Sequence, residues 1–335
     1  METKLKQATL SGRRSILCVH GRGFKPSPEA LMELTSSALR AGLERDFPDS
    51  VHVYDSVQCD LVYYGDLSND LLTSLGGYYD EQLDIGDRKN ALKALREIRE
   101  RKRFGIRQYD RLPGKSALAE FAVAVSVTLL GALGLWMWLC ARNSKDFAEY
   151  LTGNSDYADR ARERVRMKLA GLLADGDQVL LITHGTGSAI AWDAMWELSH
   201  DENYSELVDG AKVDLWLTLG TPLGDAKLRK RLLGARQDGI SRFPTNVISW
   251  QNVAAEDDYT CHDNTVADDF KKMMRERAVS VVNDYMIYNH AVRYGKSNPH
   301  SSIGYYIHPR VSKIVAEWLL SDEDVTAVAS PNTPE

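Results

Sequence analysis

The stretch Gln178 to Leu198, QVLLITHGTGSAIAWDAMWEL, joins a buried apolar run to an amphipathic one through a turn of small residues. Strand, tight turn and helix in that order hold a nucleophile at strained positive φ, with small residues two before and two after it so that helix and strand pack closely. Thr183 and Gly187 are those small neighbours if the turn residue is Gly185. Glycine takes positive φ without steric cost, but it carries no hydroxyl, so the turn is suited to covalent catalysis while the attacking group is missing. Two hydroxyls stand close by. Thr186 would act in a frame shifted by one, which puts bulky His184 two residues before it and asks a β-branched residue to hold positive φ. Ser188 would act from the first helical turn, without a glycine two residues on. The same segment is no nucleotide loop: GTGSA is too short, and it lacks both the lysine of a phosphate loop and the third glycine of a dinucleotide site.

The elements that must position such a turn alternate along the chain. Strands are expected at Ile16 to His20, Val57 to Tyr64 (closed by Gly65), Gln178 to Thr183, Val213 to Leu219, Asn246 to Val253 and Asp284 to Tyr288. Ser27 can cap a helix that begins with Pro28 and carries Leu31, Leu34, Ala38 and Leu39 on one face. Further helices are expected at Asp156 to Leu173, Ser188 to Leu198, Val266 to Arg277 and Pro309 to Leu320. This alternation argues for an α/β fold, a mainly parallel sheet with helices on both faces, whose ligand sits at the carboxyl ends of the strands.

Outside the region between Gly65 and about Tyr157, the chain resembles the α/β-hydrolase superfamily, in particular its lipase-like and serine-esterase-like members. CVHGRGF resembles the His-Gly loop after an early strand, LWLTLGTPLGD the strand and loop after the elbow helix, and THGTG stands where the family has GHSxG. The resemblance implies an oxyanion hole from the backbone N–H groups near Gly21, Arg22 and Gly23 together with that of Thr186. It also implies the order nucleophile, acid, histidine. ISWQNVAAEDDYTCHD then supplies Asp257 or Asp258 as the acid, with Asp263 weaker, and YGKSNPHSSIGYY supplies His300. Three routes to hydrolysis stay open: Thr186 or Ser188 as a relocated nucleophile, or water activated by His300. The alternative is a non-catalytic ligand-binding or membrane-associated protein that keeps the fold.

Each of these residues has a plainer reading. His20 and His184 can simply bond backbone or neighbouring loops, Asp257 and Asp258 can cap a helix or end a strand, and His300 after Asn-Pro can be a turn residue. His262 and Asp263 have no third ligand at useful spacing, so no metal is expected, and no cofactor fingerprint is present.

Composition narrows the classes. The 335 residues are 44% hydrophobic and 26% charged, as in an ordinary globular protein forming a single α/β domain. A net charge of -6 gives no broad attraction to nucleic acid, and Cys18, Cys59, Cys140 and Cys261 lack metal or redox spacing. With no apolar run of signal-peptide length before Ile16, a cytoplasmic location is expected. Residues 66–156 read as an inserted cap or lid: a charged helical stretch, RKNALKALREIRERKRF, precedes an apolar segment at 117–140. That segment is long enough to span a bilayer, but one crossing would divide the sheet, so it is expected to form a shallow hairpin, lie on a membrane, or pack as a lid or oligomer interface. The basic residues from Arg96 to Lys115 would favour an anionic inner membrane surface, making 96–140 a candidate peripheral contact. The expected ligand is a small-molecule or lipid acyl compound, and the tail 321–335 is expected to be disordered.

Overall fold

Apolar runs without a polar face become strands that are buried on both sides. Ile16–Val19, Val179–Ile182 and Leu215–Leu219 form the centre of a six-stranded parallel sheet. The computed structural model describes residues 12–115, 144–153, 155–261 and 265–321. Strands β1 (Arg14–Val19), β2 (Gln58–Val62), β3 (Gln178–His184), β4 (Val213–Leu219), β5 (Val247–Ala255) and β6 (Val281–Ile287) lie in the order β2-β1-β3-β4-β5-β6. The expected α/β architecture is therefore present, with each strand within a few residues of its sequence limits.

Strand alternation sends side chains to two layers. Leu17, Val19, Leu181 and Trp216 face one layer with the helices at Asp156–Ala174 and Gly187–His200. Ile16, Cys18, Leu180 and Leu217 face the other, with the helices at Pro28–Asp46 and Pro309–Leu320. Ser27 caps the first of these, its Oγ accepting from the Ala30 N–H at 3.4 Å. Val19 pairs with both Val62 and Thr183, and Leu219 with Val253, so the strands end level at one edge. After β2 the chain passes over β1 and continues on its far side, so the crevice between the ends of β1 and β3 is a topological switch point, where ligands of open α/β sheets bind.

Residues 66–156 contain no strand among their described residues, as the break in alternation implied. They hold helices at Glu81–Arg96 and Lys145–Tyr150, and most of the helix Gly65–Ser74. Gly65 opens that last helix rather than closing β2, which ends at Val62. Leu92 and Leu95 join Leu34 and Leu39 in the core, so this part of the region is built into the body. Several of its basic residues are engaged internally: Arg101 with Asp46, Lys102 with Glu100, and Lys115 with Asp257. The expected helix Val266 to Arg277 is two short ones, Val266–Asp269 and Lys271–Arg275, broken at Phe270, whose φ of -104° and ψ of 18° are non-helical. Among the described residues no helix is long and apolar enough to cross a membrane. The apolar segment 117–140, His262, Asp263 and the tail beyond Ser321 lie outside the described residues.

Candidate functional site

The loops after β1, β3 and β5 meet above the strand ends, joined by the segment that carries His300 after a short hairpin of Val292–Arg293 and Lys296–Ser297. The turn after β3 carries Gly185 at φ +55° and Thr186 at φ -66°, and the helix begins at Gly187. The left-handed position is thus Gly185, as the small neighbours indicated, and Thr186 is in ordinary helical conformation, so the shifted frame is not adopted. Gly187 is required by contact: a Cβ there would stand 2.3 Å from the carbonyl oxygen of His20. Ser188 is also withdrawn. Its hydroxyl is fully buried against Thr183 Oγ1 at 2.9 Å, and that oxygen in turn accepts from Trp216 Nε1 at 3.0 Å. Ser188 therefore belongs to the packing between helix and sheet.

The loop after β5 separates the two neighbouring aspartates. Asp257 takes φ +60°, and its carboxylate turns outward to accept from Lys115 Nζ at 2.6 Å and the Tyr109 hydroxyl at 3.2 Å. Asp258 points inward with a fully buried carboxylate. Its Oδ2 lies 2.9 Å from His300 Nδ1 and accepts from the Tyr305 hydroxyl at 2.7 Å, while Oδ1 accepts from the Thr260 N–H at 2.9 Å. Burial pushes the Asp258 carboxyl up, but the charge and hydrogen bond of His300 and the donors from Tyr305 and Thr260 outweigh it and hold the group below its usual range. Of the two candidates, only Asp258 is the partner of His300.

A carboxylate on Nδ1 assigns the ring hydrogen to that nitrogen and leaves the lone pair on Nε2. His300 Nε2 has no hydrogen-bond partner among the described residues and is shielded from solvent. It is directed at Gly185: a Cβ built on that glycine would stand 2.9 Å from Nε2 and 3.0 Å from Cε1. The structure therefore brings together Asp258, His300 and Gly185, and leaves Asp257, Thr186 and Ser188 out of that line.

Two further histidines hold the site in place. His184 Nε2 donates to the carbonyl of His300 at 3.0 Å, and the two rings lie 4.6 Å apart. Burial, and then the charge of His300, keep His184 well below its ordinary range, so it is neutral and acts as a strut. His20 accepts the Tyr64 N–H at Nε2 and donates from Nδ1 to the Gly21 carbonyl. Burial and the nearby Lys25 charge bring it down to about 3.

The expected oxyanion donors divide. Gly23 N–H is taken by Asp146 Oδ2 at 2.6 Å, so it is removed from that set. The N–H groups of Arg22 and Thr186 donate no hydrogen bond among the described residues outside helices and strands. Gly21 packs with its Cα face toward His184 Nδ1. Tyr305, Thr260, Asp146 and Lys25 also belong to the site, and none was marked by a motif. Tyr305 and Thr260 stand in the same stretches as His300 and Asp258, whereas Asp146 reaches Gly23 across 123 residues. No group of three or more metal-binding side chains occurs among the described residues. His20, His184 and His300 line one cavity of about 200 Å³. The chain has no significant match to any protein-family model, curated protein or solved structure.

Proposed function

We propose that the chain is an α/β-hydrolase-type protein that cleaves small esters with water as the nucleophile. The observation that carries this reading is the orphaned His300 Nε2, backed by Asp258 and directed at the turn residue Gly185. An unpaired buried nitrogen costs about 1–3 kcal/mol, and a general base that binds a water during turnover accounts for that cost. When the imidazole swings off Gly185 a water can enter. His300 Nε2 takes the water proton, the hydroxide oxygen bonds to the carbonyl carbon, and the oxyanion so formed is held by the N–H groups of Arg22 and Thr186. The carbon–oxygen bond to the leaving group then breaks, and the imidazolium, stabilised by Asp258, returns its proton to the departing alkoxide. A cavity of about 200 Å³ suits a short substrate better than a long acyl chain.

The test is steady-state hydrolysis of p-nitrophenyl acetate by the native protein and by His300→Gln. General-base assistance is worth roughly 10²–10⁴-fold, so the variant should lose most of the rate above buffer. Equal rates would reject the reading. The covered Nε2 and the missing hydroxyl favour a second reading, a non-catalytic binder. For that reading a cavity ligand should raise the melting temperature while no ester is turned over.

A further inference from the structure

Among the described residues, the cavity over His300 is lined by four basic side chains besides its histidines and by no carboxylate. Arg22 and Lys25 come from the loop after β1, Arg88 from the helix Glu81–Arg96, and Arg293 from the short strand Val292–Arg293. The matching acids stand behind this wall. Asp84 accepts from Arg88 Nε at 2.7 Å and from Arg293 Nη2 at 2.6 Å, and Asp87 takes Arg293 Nε. Those pairs tie the helix to the strand, but they do not use every donor. The terminal nitrogens of Arg88 make no hydrogen bond among the described residues, and its side chain is only 12% exposed. Ser301, 5% exposed, also lines the cavity, and its Oγ has no partner among the described residues. Ser301 precedes the helix Ser302–Tyr306 without capping it through its side chain, so helix geometry does not account for that hydroxyl.

We propose that this cavity binds the oxyanion group of a small ligand, a carboxylate or a phosphate, through Arg88, Arg293 and Ser301. A planar guanidinium already fixed by a carboxylate behind it is preorganised to offer its outer N–H groups to an oxyanion, and the charge-assisted bonds so made are among the stronger ones. For the esterase reading, on which this half rests, the substrate is then an ester whose acyl or alcohol part carries the anion at one end while the scissile carbonyl lies under His300. The binding half stands without any catalysis.

Calorimetric titration with inorganic phosphate and with glutarate tests the binding half, using the native protein, Arg88→Gln and Ser301→Ala. At least one anion should bind, Arg88→Gln should weaken it about tenfold or more, and Ser301→Ala should weaken it severalfold without lowering the melting temperature of the free protein. Ser301→Ala guards against a fold effect, since Arg88→Gln removes a partner of buried Asp84. Dissociation constants above about 10 mM for both anions, or binding that neither substitution changes, would overturn the proposal. Turnover of p-nitrophenyl acetate against mono-p-nitrophenyl glutarate tests the substrate half. The anionic ester should be preferred about tenfold in kcat/KM, and Arg88→Gln should erase the preference. Anion binding without turnover of either ester would leave the anion site standing and reject the esterase. Equal turnover of both esters with no anion binding would do the reverse.

Discussion

Gly185→Ser supplies the hydroxyl that the turn lacks, and its consequences can be worked from the geometry. A side chain at φ +55° costs about 1–2 kcal/mol in the left-handed region. The new Cβ would stand 2.9 Å from His300 Nε2, so the imidazole must retreat by a few tenths of an ångström. That displacement costs about 0.5–1.5 kcal/mol if the ring leaves its rotamer well, and a serine hydroxyl bonded to Nε2 returns about as much. The net loss of about 1–2 kcal/mol should lower the melting temperature by only a few degrees, at about 2–4 °C for each kcal/mol in a chain somewhat smaller than this one. The assay is intact mass and peptide mapping after a fluorophosphonate, which traps activated hydroxyls. Labelling is expected on the introduced serine and neither on Thr186 nor on Ser188 of the native protein. The variant should also gain a burst of product release with an activated ester, since a nucleophile of this kind is worth up to about 10⁶-fold. A folded variant with a near-native melting temperature that takes no label would refute the claim that Asp258 and His300 serve residue 185.

The neighbouring aspartates should separate in the same assays. Asp258→Asn should remove most of the roughly 10²–10⁴-fold general-base contribution and destabilise by about 1–3 kcal/mol, because it weakens the hydrogen bonds from His300, Tyr305 and Thr260 to a buried group, whereas Asp257→Asn should leave the hydrolysis rate within about twofold. Ser188→Ala should leave turnover unchanged and cost about 1 kcal/mol for its bond to Thr183, read from urea unfolding. Stability should also rise with pH through Lys25. Burial, then repulsion from Arg88 and Arg22 against attraction from Asp146 and Asp84, brings its ammonium down to about 7, with His20 also close by. Between that value and the usual lysine range the unfolded chain binds more protons than the folded one, so unfolding free energy should climb as pH rises from about 7 to 9. Lys25→Met should flatten that slope in melts across the same range, and identical slopes would contradict the assignment.

Elements with a strong local signal were legible in the sequence. Val213–Leu219 and Pro309–Leu320 have the limits expected, the first because five of its residues are large apolar ones packed on both faces, interrupted only by Asp214 and Thr218, the second because Pro309 starts a helix with a clear apolar stripe. The turn at Gly185 was legible for the same reason, since only small residues fit around it. What sequence could not decide is which of two adjacent aspartates turns inward. The positive φ of Asp257 and the pull of Lys115 and Tyr109 decide it, and these partners lie 142 and 148 residues away. The loss of Gly23 as an oxyanion donor has a similar origin, because Asp146 reaches it across 123 residues. The cationic wall of the cavity likewise combines Arg88 and Arg293, residues that no local pattern connects. Phe270 shows the opposite limit: a helical periodicity continued across a residue that tertiary packing beside Trp192 and Trp250 bends out of the helix.

If His300, held by Asp258, activates water directly, no side chain of the protein becomes acylated. Intact mass of the native protein quenched during turnover of p-nitrophenyl acetate reads this out, with His300→Gln alongside. Hydrolysis by the native protein at an unmodified mass is expected, together with loss of that hydrolysis in the variant. An acetyl adduct mapped to Thr186 or Ser188, or turnover that survives in His300→Gln, would contradict it.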